Sequence, residues 1–342
     1  MVKKRVTSQD VANLAGVSRT TVSLVLNDVE GINIPLETRQ KVHKAAETLM
    51  YVPNATAQAL ATQRARAIGL VMTRSPHHIA SDTFLPQILG GLLEIIQKEN
   101  FRLLIEIIEE KDNDRAYIEL AQAKHMDGMI ILTPRATDVG IKKLAEMNIP
   151  AVLFGYLPDC ELSSVRVDNR KAAEKAIRYL LHLGHQNIAC ILNASSAYNT
   201  AQDRLLGYQD ALANAGVSFK NSLLRYADFN PQSGFEAMQS LLDSGESFSA
   251  VFVASDNVAM GAKAALGEVN LSIPEDISLI GFDDIPWAAY ASPPLTTIRV
   301  PAQEMALKAC LLLLDLVKGT ESEKRDVILD VELVVRKSCR PV

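Results

Sequence analysis

The chain has 342 residues, of which 48% are hydrophobic and 22% charged, with a formal net charge of −5. That length holds two or three domains with sizeable cores, and the composition excludes a disordered, collagenous or disulfide-framed protein. No apolar run approaches the about 18 residues of a membrane-spanning helix. Cys160, Cys190, Cys310 and Cys339 are far apart, with no CxxC or zinc spacing, as expected of reduced thiols in a cytoplasmic protein.

MVKKRVTSQD has no apolar leader and passes directly into a capped helix, so an exported protein is not expected. The stretch Val6–Asn27 reads as two short helices. Thr7 and Asp10 have capping-box spacing at the first. Val11, Leu14 and Ala15 share its apolar face, and Gly16 supplies a left-handed turn. Ser18 caps the second helix, whose Val22, Val25 and Leu26 point inward while Arg19, Thr20, Ser23 and Leu24 point outward. This is the layout of a helix-turn-helix DNA reader; the bland alternative is any small helical hairpin. A third helix over Leu36–Met50 buries Val42, Ala45, Ala46 and Leu49.

Tyr51-Val52-Pro53-Asn54 leads into an alanine-rich segment of about two helical turns, too short to persist unsupported. It ends at Arg64 and Arg66. Residues 1–66 carry nine Lys/Arg and five Asp/Glu, a balance of +4; residues 67–342 carry 26 and 35, a balance of −9. A basic head on an acidic body fits a head that meets phosphates.

From Ala67 the pattern alternates between strands and helices. AIGLVMT, RLLIEII, GMIILTP and PAVLF read as strands between helices at LPQILGGLLEIIQKEN, Asp114–Lys124 and 138–147. The alternation resumes with helices Asn169–Leu183 and Arg204–Ala215 and strands at IACIL, Leu223–Tyr226, AVFVAS, SLIGF, TTIRV and VILDVEL. Two such sets predict two Rossmann-like α/β lobes with parallel sheets and a ligand cleft at the carboxyl ends of the strands. GxGxxG after the first strand, GxxxxGK[ST] and GxSxG are all absent, so nucleotide-cofactor and hydrolase readings lack their fingerprints and no cofactor is expected.

DVANLAGVSRTTVSLVLN, ETRQKVHKAAETLMYVPN, VDNRKAAEKAIRYLLHLGH, DRLLGYQDAL, SDNVAMGAKAAL, IPEDISLIGFDD and SPPLTTI, in that order, resemble the LacI/GalR (lac-repressor) family of bacterial transcription regulators over essentially the whole chain. The resemblance implies an all-α helix-turn-helix headpiece over 1–52 and a hinge helix and linker over 53–66. It implies an effector-binding and dimerising core over 67–342, like the periplasmic sugar-binding proteins. The expected N-lobe spans 67–164 plus 297–322 and the C-lobe 165–296 plus 323–342.

By the same resemblance Arg19 and Thr20 read base edges of a palindromic operator, with Leu24 standing where an arginine is common. Thr7, Ser8, Ser18, Thr21, Ser23 and Asn27 meet phosphates. Leu60 is the implied minor-groove wedge, lined by Asn54, Ala57 and Ala61. In the core Arg204 and Asp283 would grip a small effector, most simply a sugar, by donating to and accepting from adjacent hydroxyls. Thr73, Phe84, Arg135, Asp168, Phe229, Asp256 and Trp287 would line the rest. Gly155 stands where some members have a carboxylate. Asp283-Asp284 read without the family are a helix cap, and Asp284 is left in that role. The implied function is a homodimeric, non-enzymatic regulator away from membranes. A solute-binding protein would share the core, and a sugar-modifying enzyme would need a catalytic constellation that the residues do not supply.

Overall fold

The computed structural model describes residues 6–27, 32–52, 54, 59, 62, 64–73, 76–108, 113–320 and 323–342. The chain divides into two compact units, Met1–Arg66 and Ala67–Val342.

In the first unit, α1 (Ser8–Ala15), α2 (Arg19–Leu26) and α3 (Leu36–Thr48) close around Val11, Ala12, Val22, Val25, Val42 and Ala45. Thr7 and Asp10 form the reciprocal capping box, with the Thr7 amide donating to Asp10 Oδ2 at 2.8 Å. Gly16 ends α1 at φ +67°, a backbone that costs glycine nothing. The apolar face of α1 is rotated from the expected one. Small Ala12 is buried in the cluster with α3, and Leu14 is 54% exposed. A helix this short fits the 3.6-residue period in more than one rotation, and packing decides among them.

The second unit contains two six-stranded sheets. The first is built from β1 (Ala67–Met72), β2 (Arg102–Ile107), β3 (Gly128–Leu132), β4 (Ala151–Phe154), β5 (Ser163–Val167) and β11 (Asp326–Leu329), in the order β11-β5-β4-β3-β1-β2. The second contains β6 (Ile188–Leu192), β7 (Leu224–Tyr226), β8 (Ala250–Val253), β9 (Ser278–Asp283), β10 (Thr296–Arg299) and β12 (Glu332–Val334), in the order β12-β10-β9-β8-β6-β7. All pairings are parallel except β10 with β12. The central strands AIGLVM, GMIIL, IACIL and AVFV are buried at every position, as sheets covered on both faces require.

The helices that cover the sheets and carry site residues include α4 (Pro76–Ser81), α5 (Leu85–Lys98), α6 (Asn113–Gln122), α7 (Val139–Glu146), α8 (Asn169–His182) and α9 (Asn199–Asn214). They are followed by α10 (Pro231–Asp243), α11 (Asp256–Glu268) and α12 (Ala302–Lys318). Helix α9 begins at Asn199, a full turn before the expected Arg204.

The run VILDVEL, read as one strand, is two: β11 pairs with β5 in the first sheet and β12 with β10 in the second. Strand β10 likewise pairs with β9. The crossings between lobes therefore fall between β5 and α8, after β10, and between β11 and β12. The expected boundaries assigned β10 mostly to the N-lobe and β11 to the C-lobe. Hydropathy cannot show this, because a strand reads alike whichever sheet it joins. Among the described residues no helix is long and apolar enough to cross a membrane.

Candidate functional site

Two surfaces collect the residues singled out in the sequence. On the helix-turn-helix unit, Arg19, Thr20 and Ser23 are exposed on one face of α2, with Thr21, Leu24 and Asn27 half-buried beside them. Ser18 Oγ accepts from the Thr21 amide at 3.0 Å and shares a 2.8 Å bond with Thr21 Oγ1. Arg19 donates through Nε to Ser8 Oγ at 3.0 Å, which orients the guanidinium. Asn27 donates to Ser23 Oγ at 3.1 Å. Capped N-termini and an oriented arginine are features by which such helices meet phosphates and guanine edges. Of the expected hinge contacts Asn54 is exposed; Ala57, Leu60 and Ala61 lie outside the described residues.

In the second unit a cleft opens between the carboxyl ends of the two sheets, where open α/β sheets take their ligands. Four expected residues line it: Phe84, Arg204, Phe229 and Asp283. Arg204 comes from α9 and is 8% exposed. Its Nε donates to Asn169 Oδ1 at 2.9 Å, its Nη1 to the Ala254 carbonyl at 2.5 Å, and its plane lies 3.8 Å above the Phe282 ring. Nη2 stands 3.9 Å from Asp283 Oδ1, beyond hydrogen-bond range, so cation and anion face each other without closing on themselves. Burial pulls the Arg204 pKa down, and Asp283 opposes that shift.

Asp283 sits at φ +115° and Asp284 at +57°, backbone geometry that costs non-glycine residues energy and collects at functional positions. The expected cap role of Asp284 gives way to ion pairs with Arg299 at 2.7 Å and Arg336 at 2.6 Å. Phe229, at φ +59°, packs edge-on against Tyr198 with ring centroids 5.0 Å apart.

Five expected ligand residues lie elsewhere. Asp256 is fully buried, accepting from Thr297 Oγ1 at 2.7 Å and from the Ile285 amide at 3.0 Å. Burial, with Asp283 nearby, pushes its carboxyl well above the usual range, so it clamps α11 to the second sheet. Arg135 is buried against Asp138, with Nη2 to Oδ1 at 2.9 Å, and organises the turn before α7. Asp168 caps α8 through the Lys171 amide at 3.0 Å. Thr73 is buried outside the lining, and Trp287 is 64% exposed on a 3-10 turn. Both carboxylates were implied by the resemblance at strand ends; the Asp168 side chain goes to capping the next helix and that of Asp256 to Thr297 and the Ile285 amide.

Sequence reading missed Thr133, Asn169, Asn193, Thr200, Ser255 and Asn257, all in the lining. Thr133 directly follows β3, Asn193 follows β6, and Ser255 lies just past β8. Applying the carboxyl-end rule strand by strand selects these positions. Asn193 is 5% exposed, and its Oδ1 is buried with no hydrogen-bond partner. A buried acceptor left unpaired is costly, and a ligand donor would satisfy it.

Side chains also tie the lobes at the mouth of the cleft. Asn257 Nδ2 donates to the Ser81 carbonyl and to the Phe229 carbonyl, each at 2.9 Å. His78 Nε2 lies 2.7 Å from Asp228 Oδ2. On the far side Tyr156 donates to Asp203 Oδ1 at 3.0 Å, which with burial pushes the phenol up to about 12. Burial holds the Asp203 carboxyl above its usual value.

Residues 7–54 match the sequence profile described as "Bacterial regulatory proteins, lacI family", and residues 177–339 match "Periplasmic binding protein-like domain". The HTH-type transcriptional regulator CelR of Thermobifida fusca is 31% identical over 339 residues, 98% of this chain and 99% of that protein. A structure of a CelR–cellobiose complex matches with a TM-score of 0.75 over 98% of this chain and 100% of that one, at 31% identity. The HTH-type transcriptional repressor CytR of Escherichia coli K12 is 32% identical over 338 residues, 98% of this chain and 96% of that protein. The lac repressor dimer bound to operator and the anti-inducer ONPF matches with a TM-score of 0.86 at 29% identity, covering 98% and 100%.

Proposed function

This chain belongs to the LacI family of DNA-binding transcription regulators and is not an enzyme, and we propose that it acts as a homodimer on a palindromic operator under the control of a sugar bound between its core lobes. The observation that carries the effector reading is the Arg204–Asp283 pair, 3.9 Å apart in a lining that also holds the buried, unpartnered Asn193 Oδ1. A guanidinium that donates, a carboxylate that accepts and a lone amide acceptor suit a molecule with several neighbouring hydroxyls. A relative's structure that holds cellobiose supports the same class.

On the DNA side, Arg19 and Thr20 read base edges while Thr7, Ser8, Ser18, Thr21, Ser23 and Asn27 fix register on phosphates. Leu24 meets a thymine methyl in place of a polar contact. Leu60, with Asn54, Ala57 and Ala61 beside it, opens the central base step from the minor groove. Sugar binding changes the closure of the lobes and with it the affinity for DNA.

Thermal melting of the full chain against monosaccharides, disaccharides, polyols and purines tests the effector class. A ligand present at about 100 times its Kd adds roughly 2.7 kcal/mol to stability. A sugar is expected to raise Tm; a response confined to purines would overturn the sugar assignment while leaving the DNA-binding role in place.

A further inference from the structure

Helices α1 and α2 each open on a polar residue placed by the cap before it. The Thr7 side chain accepts from the Asp10 amide, and Ser8 is the first residue of α1. The Ser18 side chain accepts from the Thr21 amide, and Arg19 is the first residue of α2. Although 11 residues apart in sequence, the two meet, with Arg19 Nε donating to Ser8 Oγ at 3.0 Å. Gly16 in its left-handed turn, and the cluster that joins Val11 and Ala12 to Val22 and Val25, set the angle that brings them together. Ser8 is half-buried and Arg19 exposed, so the bond ties a long surface side chain to a short one on the body of the domain.

The bond uses one particular donor. A guanidinium carries five N–H groups, one on Nε and two on each Nη. With Nε given to Ser8, the pair left for bidentate donation is Nη1 and Nη2. Guanine offers O6 and N7 as two acceptors on its major-groove edge, whereas adenine sets an amino donor beside N7 and thymine a methyl beside O4. An arginine anchored in this way discriminates by geometry. An unanchored one also swings to phosphates, which carry no sequence information, and gives up more rotamer freedom on binding. The serine hydroxyl accepts through a lone pair and keeps its own proton, so holding Arg19 is compatible with a phosphate contact by Ser8.

We propose that Ser8 is a positioning residue for base recognition, holding Arg19 by Nε so that Nη1 and Nη2 stay presented to one guanine in each half-site. This rests on the reading of Arg19 as a base reader and extends it to a residue on the other helix. A phosphate contact alone makes Ser8 matter equally at every base pair; the positioning role makes it matter at one.

The test is fluorescence anisotropy of the full chain on an operator selected from random DNA and on its single-position variants, for the parent, Ser8→Ala, Ser8→Thr, Arg19→Ala and the Ser8→Ala/Arg19→Ala double variant. Arg19→Ala identifies the position that Arg19 reads. There Ser8→Ala should cut the preference for guanine about 2- to 10-fold, as expected for one hydrogen bond, and leave preference at the other positions unchanged. In the Arg19→Ala background Ser8→Ala should change nothing further at that position, and Ser8→Thr, which keeps the hydroxyl, should retain the parental preference. Each preference is a ratio between sequences, so a change in the folded fraction cancels. A uniform loss across all sequences, or an unchanged preference at the Arg19 position, would overturn the positioning role and leave Arg19 as the base reader. Parental preference at every position in Arg19→Ala would overturn both.

Discussion

In the first core sheet the opening strand β1 lies between β2 and β3, and β4, β5 and β11 follow outward; in the second, β6 lies between β7 and β8, and β9, β10 and β12 follow. The strand order is the same, and so is the placement of the strands' carboxyl ends around the cleft. What differs is the residue standing at each end: Thr133 and Gly155 on one side, Asn193, Ser255 and Asp283 on the other. The first side sets Asp82, Thr133 and Arg166 among apolar residues, and the second gathers Asn193, Thr200, Arg204, Ser255, Asn257 and Asp283. The shared topology fixes where a ligand binds, and a few positions just past the strands decide which chemistry each half offers.

The largest effect expected from disturbing this asymmetry comes from Arg204→Ala. It leaves Asn169 and the Ala254 carbonyl without their shared donor and removes the cation that faces Asp283. Stripping one partner from a buried charged pair costs about 3–5 kcal/mol. Calorimetry should find effector binding gone, and operator binding by gel shift should survive in the folded fraction. Gly155→Asp would place a side chain just past β4. The strained backbone and the Pro134 contact predict a loss of about 1–3 kcal/mol in urea unfolding. Wild-type stability in that variant would mean that the position accepts an L side chain.

Arg19→Ala is the control outside the core. It should cost about 1–3 kcal/mol on the operator and relax preference at one position of each half-site, with effector affinity unchanged. Asn257→Ala, which removes the bonds to Ser81 and Phe229, should cost roughly 1 kcal/mol. Its signature is faster ligand release in stopped-flow, because the bond to Ser81 joins one lobe to the other at the mouth.

The smallest effect is acid sensitivity in the second lobe. His185 is buried among Ser249 Oγ, Ser278 Oγ and the Arg340 carbonyl, and burial lowers its pKa from 6.5. The unfolded chain then takes up a proton that the native imidazole resists. Its contribution is whole above pH 6.5 and declines as pH falls from there through the lower folded value. The slope is bounded at about 1.4 kcal/mol per pH unit for one proton. His185→Gln should flatten the acid limb of Tm against pH relative to the parent.

Much of this was legible in the sequence, for identifiable reasons. Buried parallel strands are continuous apolar runs, and AIGLVM, IACIL and AVFV announce themselves. Thr7, Asp10, Gly16 and Ser18 carry the capping chemistry of the helix-turn-helix. Arg204 and Asp283 came from the family resemblance, and the structure brings them together. Strand β5, SSVRV, was not read as a strand because its serines and arginine break the hydropathy signal. Asn193 and Asn257 were missed because an asparagine carries no charge to draw attention. Asp256, Asp168 and Arg135 came from positions implied by the resemblance, and here each serves a clamp, a cap or a turn. The rotation of α1 that exposes Leu14 depends on packing against α3, which a local period does not encode.

The most direct measurement is fluorescence anisotropy of the full chain on an operator selected from random DNA, titrated with and without the tightest-binding sugar, for the parent and for Arg204→Ala. The account predicts an inverted-repeat operator, a shift of about tenfold or more in the parent's Kd for it, about 1.4 kcal/mol of coupling, and no shift in the variant. An operator affinity indifferent to ligand in the parent, or equally responsive in the variant, would contradict control through the cleft.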